Sequence, residues 1–285
     1  MIDLKLLRED PERFRAGIEA KGERVDLDRL LSLVERRRQL ARQIDELGAE
    51  RNRETRRIGE RIKAGESAEQ ARAEVRELGE RIKAAEQEQR EVASELDQLA
   101  LTVPNPPHSS TPLGADEADN REISRWGQPP AMDFHPSPHW ELGEALDILD
   151  LARGAKLAGS GFYVLKGAGA RLERALISWF LDVHVREFGC TEVSPPLLVT
   201  SPVMTGTGQL PKLAGDMYRL AGEDLWLIPT AEVPVTNLYR GEILDGAALP
   251  LYLVSASACF RLEAGSYGKE VRGISRVHQF NKVEL

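Results

Sequence analysis

Two stretches near the end of the sequence combine arginines, carboxylates and an aromatic residue at the spacing of β-strands. Arg261 and Glu263 are two residues apart, so in an extended strand their side chains share one face. A second set follows at even spacing and would share one face of a returning strand: Arg276, His278, Phe280 and Glu284. Arginine binds phosphate oxygens, an arginine and an aromatic ring can enclose a purine, and a carboxylate accepts hydrogen bonds from an ammonium or hydroxyl group. The pattern predicts either a site for a phosphate-bearing purine ligand or a ladder of surface salt bridges.

The second half of the chain must position these residues, and its pattern is mixed. Residues 172–188 have the apolar spacing of an amphipathic helix. The predicted strands are 190–198 (broken by Pro195 and Pro196), 224–228, 249–262 and 273–285, with a polar, Gly-rich loop at 263–272. No alternation of strands and helices is present, which favours an antiparallel α+β domain over a doubly wound one.

The first part of the chain has a different composition. Of the aromatic residues, only Phe14 lies before Trp126, so this part suits a narrow helical seam better than a wide core. One run repeats at steps of three and four: Val75, Leu78, Ile82, Ala85, Gln89, Val92, Leu96 and Leu99. A looser run precedes it: Leu33, Leu40, Ile44, Leu47, Ile58 and Ile62. We expect two long helices, the first ended by Gly65 and the second capped by Ser67, in an antiparallel coiled-coil hairpin about 50 Å long.

Basic residues concentrate near the expected tip of this hairpin. Residues 51–63 carry six of them against Glu54 and Glu60, a local charge of +4: Arg51, Arg53, Arg56, Arg57, Arg61 and Lys63. They form either a solvated helix face or a surface that follows a phosphate backbone. Residues 101–114 contain four prolines, typical of a stiff linker. We therefore divide the chain into an arm at 1–103 (hairpin at about 27–100), a linker at 104–114 and a second domain at 115–285.

Overall composition limits the other possibilities. The formal charge is −8, and no run of apolar residues is long enough to span a membrane. The charged start does not resemble a signal peptide, so a cytoplasmic location is expected. Cys190 and Cys259 have no CxxC or histidine spacing suited to zinc, and we expect no metal site within the chain. The glycine pairs at 167–169 and 206–208 fit neither a P-loop nor a dinucleotide fingerprint.

The hairpin sequence resembles motif 2 of class II aminoacyl-tRNA synthetases, and in detail that of seryl-tRNA synthetases. The matching segments are Phe-Arg-x-Glu-Ala-Gly-Ser, which starts at Phe260, and Arg-Gly-x-x-Arg-Val-His-Gln-Phe-x-Lys-Val-Glu, which ends at Glu284. Residues 205–211 and 227–234 resemble other segments of these enzymes, the latter with a serine-binding Thr-x-Glu. Residues 188–198 resemble motif 1 at the dimer interface, with Pro196 at the family's proline position. The helical hairpin corresponds to the family's tRNA-binding arm.

The resemblance implies roles for individual residues. An ATP site would contain Arg261, Leu262, Glu263, Arg276, Val277 and Phe280. Of these, Arg261 and Arg276 would be catalytic, Arg261 at the α-phosphate and Arg276 near the phosphates, while Phe280 would stack on adenine. A serine site would contain Thr230, Ala231, Glu232 and Glu284. His278 is expected to pack and hydrogen-bond rather than act as a base, because the carboxylate of serine is already ionised.

The implied activity is ATP-dependent formation of seryl-adenylate followed by transfer of serine to the 3′ end of tRNA(Ser), and also of tRNA(Sec). Magnesium would accompany ATP, and a homodimer would form through motif 1. The basic residues at 51–63 would bind tRNA by shape and phosphates. Loading of serine onto a carrier protein is a less favoured alternative, because a carrier has no variable region for the arm to bind.

The family also has a motif 3, for which this sequence offers no substitute before it stops at Leu285. We therefore expect an α+β protein with a coiled-coil arm and a truncated class II catalytic domain carrying motifs 1 and 2 only. On this basis the chain alone would give little or no serine activation. The alternative is a non-catalytic homologue that binds tRNA.

Overall fold

The chain folds as two units, Met1–Trp126 and Gly127–Leu285, in a computed structural model that describes residues 2–65, 67–263 and 272–285. Each unit has its own cluster of buried apolar side chains. The division at 103 and 114 that the sequence suggests stays a prediction.

Within the described residues, the first unit contains four α-helices, three of which are preceded by a capping aspartate. They are α1 (Leu4–Glu9), α2 (Pro11–Ala20), α3 (Leu27–Lys63) and α4 (Glu69–Ala100). The carboxylates of Asp3, Asp10 and Asp26 accept hydrogen bonds from backbone N–H groups in the first turns of α1, α2 and α3. These caps satisfy donors that have no partner inside the helix.

Helices α3 and α4 form the antiparallel hairpin that the heptad pattern predicted. Two ion pairs cross between them, Arg29–Glu95 at 2.7 Å and Arg36–Glu88 at 2.6 Å, and residue numbers that rise in one helix pair with numbers that fall in the other. The 37 residues of α3 span about 55 Å at 1.5 Å per residue. The prediction that Ser67 caps the second helix was wrong, because α4 is preceded by Ala68 without a side-chain cap.

Packing along the hairpin is uneven. A cluster near its base buries the following side chains to 3% exposure or less: Leu7, Phe14, Leu27, Leu30, Leu33 and Leu96. Leu47, Leu78 and Ile82 form a smaller cluster farther along. Beyond it Ala68 and Ala71 are still buried, but Ile62 is 50% exposed. The distal part of the hairpin therefore buries smaller apolar side chains than the base.

The second unit combines short helices with short strands. Its helices are α5 (His139–Ala145), α6 (Leu151–Ala158), α7 (Ala168–Arg186), α8 (Ser201–Gly206) and α9 (Glu232–Thr236). Its strands are β1 (Leu149–Asp150), β2 (Val164–Leu165), β3 (Thr191–Glu192), β4 (Leu198–Val199), β5 (Trp226–Leu227), β6 (Leu253–Phe260) and β7 (Gln279–Glu284).

The longest pairing joins β6 to β7. These strands are antiparallel, with Ser255 opposite Glu284 and Phe260 opposite Gln279. Strand β3 pairs with the other edge of β6, and the pairs β1–β2 and β4–β5 are antiparallel. The α+β class is confirmed, but β3 runs parallel to β6, which the sequence pattern did not predict. A parallel neighbour needs a long connection, and here β4, α8, β5 and α9 lie between the two strands.

Both strands of the hairpin are shorter than predicted. Strand β6 ends at Phe260 and β7 begins only at Gln279. The prediction that Arg261, Glu263, Arg276 and His278 lie on strand faces was therefore wrong, and these four residues lie in the segments that flank the strands. Residues 264–271, which include most of the predicted Gly-rich loop, lie outside the described residues.

A buried residue links the Thr-x-Glu segment to the hairpin. The backbone N–H of Ile228 donates to Leu197 (3.0 Å), and its carbonyl accepts from Phe260 (2.9 Å). Ile228 is fully buried with Met204 and Val233 in the core of this unit. The chain that follows Ile228 is thereby held beside the end of β6.

Helix α7 exposes a row of large apolar side chains. Leu172, Leu176, Trp179 and Phe180 are between 41% and 59% exposed. Exposed apolar patches of this kind mark surfaces that bind other chains. Among the described helices, none is both long and apolar enough to cross a membrane.

Replacing Leu96 by alanine should destabilise the first unit by about 2–5 kcal/mol, because the side chain is fully buried and its removal leaves a cavity. The matched control is Leu113→Ala, the same change at a residue that is 76% exposed, where about 0.5 kcal/mol or less is expected. Urea unfolding followed by helical circular dichroism measures both. Equal losses in the two variants would contradict the position of the core.

Candidate active site

Two clefts open at the end of β6 and share part of their lining. The aromatic cleft, about 420 Å³, is lined by Arg261, Glu263, Ile274, Ser275, Arg276, Val277 and Phe280. The polar cleft, about 330 Å³, is lined by Gln209, Leu213, Asp216, Met217, Pro229, Thr230, Glu232, Arg261, Glu263, Arg276 and Lys282. Arg261, Glu263 and Arg276 belong to both. A ligand in one cleft therefore lies directly beside a ligand in the other.

Arg261 is fixed at the boundary between the clefts. Its backbone N–H donates to the carbonyl of His278 (2.9 Å), and its own carbonyl lies 3.0 Å from Nδ1 of the same histidine. The side-chain Nε donates to the carbonyl of Pro229 (3.3 Å), and the guanidinium carbon lies 5.1 Å from the centre of the Phe280 ring. The guanidinium thus lies between the aromatic ring and the Thr-x-Glu segment.

His278 acts as a packing and hydrogen-bonding residue in this structure. Besides its bonds to Arg261, its backbone N–H donates to the carbonyl of Gly161 (3.0 Å), and its ring lies 5.2 Å from that of Phe162. Gly161 has a φ of +79°, and a side chain there would meet the imidazole within 2.5 Å. The close approach of the histidine ring therefore requires glycine at this position.

Glu263 and Arg276 form an ion pair across the aromatic cleft. Nε of Arg276 donates to Oε2 of Glu263 at 2.5 Å. The φ of Glu263 is +50°, in the left-handed region, so the chain turns away from the extended path of β6. This turn lies three residues beyond the end of β6, and the Glu263 side chain there meets Arg276.

Thr230, Lys282 and Glu284 form a compact cluster beside the polar cleft. The Thr230 hydroxyl donates to Oε2 of Glu284, and the Lys282 ammonium forms an ion pair with the same oxygen. Lys282 Nζ also donates to the Thr230 hydroxyl oxygen (3.1 Å), which accepts a further bond from the backbone N–H of Glu232 (3.3 Å). Thr230 is only 5% exposed, so the cluster is largely shielded from water.

Opposing effects act on the ionisation of Glu284. Partial burial raises the pKa of this carboxyl, but hydrogen bonds from Lys282 and Thr230 and the charges of Lys282 and Arg261 lower it more. The net result is a pKa below the ordinary value of 4.5. Glu284 is therefore a carboxylate at neutral pH, suited to accept hydrogen bonds from an ammonium or a hydroxyl group.

The remaining predicted site residues contribute in different ways. Val277 lines the aromatic cleft and Glu232 lines the polar cleft, the latter with an exposed side chain. Ala231 is fully buried, and Leu262 is held by a 2.8 Å bond from its N–H to the Asp216 carbonyl. Neither of these two is among the described residues that line the clefts, so they can take part only through the backbone or through their neighbours.

The predicted basic residues of the arm are exposed on the distal half of α3: Arg51, Arg53, Arg56, Arg57, Arg61 and Lys63. Arg57 forms an ion pair with Glu54 (2.8 Å). Nearer the base, a groove of about 380 Å³ between α3 and α4 is lined partly by Arg37, Arg38 and Arg90. This groove was not predicted, although the run Arg36-Arg37-Arg38 in the sequence already indicated a concentration of positive charge there.

Lys282 is a further residue of the site that was not predicted from the sequence. The even spacing that places Phe280 and Glu284 on one face of a strand applies to Lys282 as well, because it lies between them. Asp216 was not predicted either. It contributes a backbone carbonyl from a distant short 3₁₀ turn, Ala214–Asp216, and no sequence pattern indicates such a contact.

Two protein-family models match the chain. Residues 1–107 match the seryl-tRNA synthetase N-terminal domain, and residues 218–285 match the tRNA synthetase class II core domain (G, H, P, S and T). The first match contains the whole helical hairpin. The second contains both the Thr-x-Glu segment and the β6–β7 hairpin.

Similar proteins align over the full chain. A serine–tRNA ligase of Thermomicrobium roseum is 50% identical over 285 residues, and one of Thermoanaerobacter pseudethanolicus is 51% identical over the same length. The chain covers 64% and 67% of these two proteins, so it spans about two thirds of the length of the curated relatives it matches.

Solved structures show the same fold. The crystal structure of seryl-tRNA synthetase from Pyrococcus horikoshii complexed with ATP has a TM-score of 0.89 and 37% identity, covering 99% of this chain and 68% of that one. The cytoplasmic serine–tRNA ligase from Naegleria fowleri in complex with AMP has a TM-score of 0.82 at 24% identity, covering 99% of this chain and 69% of that one, a likeness of fold alone.

The lowered pKa of Glu284 predicts a pH-dependent contribution to folding. A carboxyl with a lowered pKa in the folded state stabilises it above the unfolded-state pKa, and this contribution is lost as the pH falls through the folded-state value. The free energy of unfolding of the unmodified chain should therefore fall towards that of Glu284→Gln as the pH is lowered below the ordinary glutamate value of 4.5. Urea unfolding across this range measures the difference, and a difference that does not change with pH would contradict the lowered pKa.

Proposed function

Because the chain belongs to the seryl-tRNA synthetase family, we propose that its two clefts bind ATP and L-serine side by side for the formation of seryl-adenylate. The observation that carries this proposal is the shared lining of the aromatic and polar clefts by Arg261, Glu263 and Arg276. Adenylation requires the amino-acid carboxylate and the α-phosphate to meet, and adjoining clefts with an arginine between them supply that arrangement.

In the aromatic cleft, we assign Phe280 to stacking on adenine, with Glu263 beside the adenosine and Arg276 near the phosphates. Val277, which is 7% exposed, and Leu262 would contribute backbone contacts. In the structure Glu263 and Arg276 bind each other, so a nucleotide would have to replace this ion pair with its own polar groups. The ATP complex of the Pyrococcus horikoshii relative supports nucleotide binding by this fold.

In the polar cleft, Thr230, Glu232 and Glu284 are assigned to the ammonium and hydroxyl groups of serine, with Ala231 contributing through its backbone. The ionised Glu284 supports this role, since a carboxylate accepts hydrogen bonds from both groups. A site that hydrogen-bonds the hydroxyl group would reject alanine, because its polar groups would be left without a partner.

The reaction assigned to Arg261 is an in-line displacement. An oxygen of the serine carboxylate forms a bond to the α-phosphorus, the bond from that phosphorus to the bridging oxygen breaks, and pyrophosphate leaves. Negative charge grows on the α-phosphate oxygens, and a fixed guanidinium stabilises it. The bonds from Arg261 to Pro229 and His278 hold that side chain and its backbone at the junction of the clefts.

Magnesium is expected to accompany ATP through the phosphates. The part of the chain that the structure describes contains no group of three or more His, Cys, Asp or Glu residues that could hold a metal ion.

For the arm, the proposed ligand is tRNA(Ser), and also tRNA(Sec). The six basic residues at 51–63 are exposed on a helix that extends about 55 Å, which suits contacts to phosphates over a long stretch of RNA.

We further propose a homodimer through the motif 1 region, supported by the exposed apolar row on α7. A cytoplasmic location is proposed because both cysteines are free thiols and tRNA charging takes place there.

Binding of two stable adenylate analogues tests the active-site proposal. 5′-Sulfamoyladenosine acylated on its sulfamoyl nitrogen with serine or alanine mimics the two adenylates, and calorimetry with the 285-residue chain should show at least about tenfold tighter binding of the seryl compound. Arg261→Ala should weaken the binding of both by about 10- to 100-fold. The matched control is Arg219→Ala, which removes an arginine that also lies over an aromatic ring, 5.3 Å from the centre of Trp226, but outside both clefts.

Equal affinity for the two analogues would contradict the serine pocket. If neither analogue binds while tRNA does, the chain is instead a tRNA-binding homologue without this chemistry.

The arm is tested by removing two of its exposed charges. Arg53→Gln combined with Arg56→Gln should weaken tRNA(Ser) binding and lower the slope of log Kd against log salt concentration by about 1 to 2, because each lost phosphate contact releases about one counterion fewer. Lys5→Gln with Arg13→Gln is the control, since it removes the same charge from α1 and α2. Equal salt slopes in both double variants would contradict the assignment of these arm residues.

A further inference from the structure

Lys282 has no role in the assignments above, yet it lies at the centre of the polar cluster. It is on β7 between Phe280 and Glu284, and the alternation of the strand directs all three side chains to one face. Its ammonium contacts two residues assigned to serine, Glu284 and Thr230.

The position of Lys282 differs from that of a surface lysine. Its side chain is 35% exposed, and its partner Glu284 is 19% exposed. Surface ion pairs between flexible side chains contribute little, whereas partly buried pairs with additional hydrogen bonds hold a fixed geometry. Here the same ammonium bonds a carboxylate and a hydroxyl group that is itself 5% exposed.

Lys282 completes the hydrogen bonding of the Thr230 hydroxyl group. A hydroxyl has one proton to donate and two lone pairs to accept. The lone pairs of Thr230 Oγ1 accept from Lys282 Nζ and from the N–H of Glu232, so its proton is directed to Glu284. Without the lysine, one acceptor position would be open and the hydroxyl could rotate.

Lys282 also determines which oxygen of Glu284 is occupied. The bonds described for this carboxylate, from Thr230 and Lys282, are both made through Oε2. These two bonds fix the rotamer of Glu284, and Oε1 takes part in neither of them.

We propose that Lys282 is a positioning residue of the serine pocket, which fixes the Glu284 carboxylate and the Thr230 hydroxyl in the orientation that binds the seryl group. This inference rests on the proposed function of the polar cleft. It predicts that Lys282 affects recognition of the seryl group and not of the nucleotide, because its contacts with the described residues lie in the polar cluster.

Comparison of seryl-sulfamoyladenosine with sulfamoyladenosine isolates the seryl group, since the two probes share the nucleotide part. For the unmodified chain, the seryl compound should bind more tightly. In Lys282→Met, which keeps the length of the side chain without its charge, this preference should fall about tenfold or more, and the affinity for sulfamoyladenosine should change less than about twofold. Lys282→Arg should retain most of the preference, because it keeps a cation that can donate to both partners.

A pH series separates positioning from general stability. Loss of Lys282 removes a bond and a charge that keep Glu284 ionised, leaving Arg261 as the other cation that lowers its pKa. Titratable groups of the neighbouring segments that face the same cleft are Glu232, Asp216, Glu263 and Arg276. The seryl preference of Lys282→Met should therefore fall at a higher pH than that of the unmodified chain. A lysine that only stabilised the fold would not move this midpoint.

The control is Lys156→Met, the same change at an exposed position on α6, which should leave both affinities unchanged. If Lys282→Met keeps the seryl preference, or weakens both probes equally, the proposal is overturned. If that variant does not fold, Lys282→Gln must show the same selective loss, and failure of both neutral variants to fold would make Lys282 a structural residue only. If the unmodified chain shows no seryl preference, the serine pocket itself is wrong and the inference falls with it.

Discussion

The antiparallel pairing of β6 with β7 is the constraint on which the site depends. Its register sets Cys259 opposite Phe280 and Ser255 opposite Glu284, and one further backbone bond joins Arg261 to His278 beyond the end of the strands. The aromatic ring, the arginine and the carboxylate are therefore fixed relative to one another by the backbone. A slip of the register by one residue would turn the whole set to the opposite face of the sheet.

Charges at the site are paired within the chain itself. Arg276 binds Glu263, Lys282 binds Glu284, and Arg261 lies over Phe280 while it donates to the Pro229 carbonyl. Such pairing lowers the cost of holding charged groups in partly buried clefts. It also means that a nucleotide must offer groups that replace the Arg276–Glu263 pair, while the Lys282–Glu284 pair can stay in place and hold the carboxylate for an ammonium or hydroxyl group. The chemistry of the proposed substrates matches that requirement.

The sequence predicted the arm better than the site. The heptads and the glycine at 65 were enough for the hairpin of α3 and α4, because local periodicity determines a coiled coil. Alternation along the chain grouped Phe280 with Glu284 correctly on β7 but failed for Glu263, whose left-handed backbone ends the extended path. The contacts of Arg261 with Pro229 and of Thr230 with Lys282 join residues 32 and 52 positions apart, and only the folded structure brings these residues together.

A crystal structure of the 285-residue chain with the seryl-adenylate analogue would show whether the two clefts form one substrate site. We expect one bound molecule across both clefts, with adenine on Phe280, the sulfamoyl group at Arg261 and the seryl group at Thr230 and Glu284. The ion pair between Arg276 and Glu263 should open in that complex. Binding of the analogue elsewhere on the chain, with the β6–β7 hairpin and its internal ion pairs unchanged, would contradict the account.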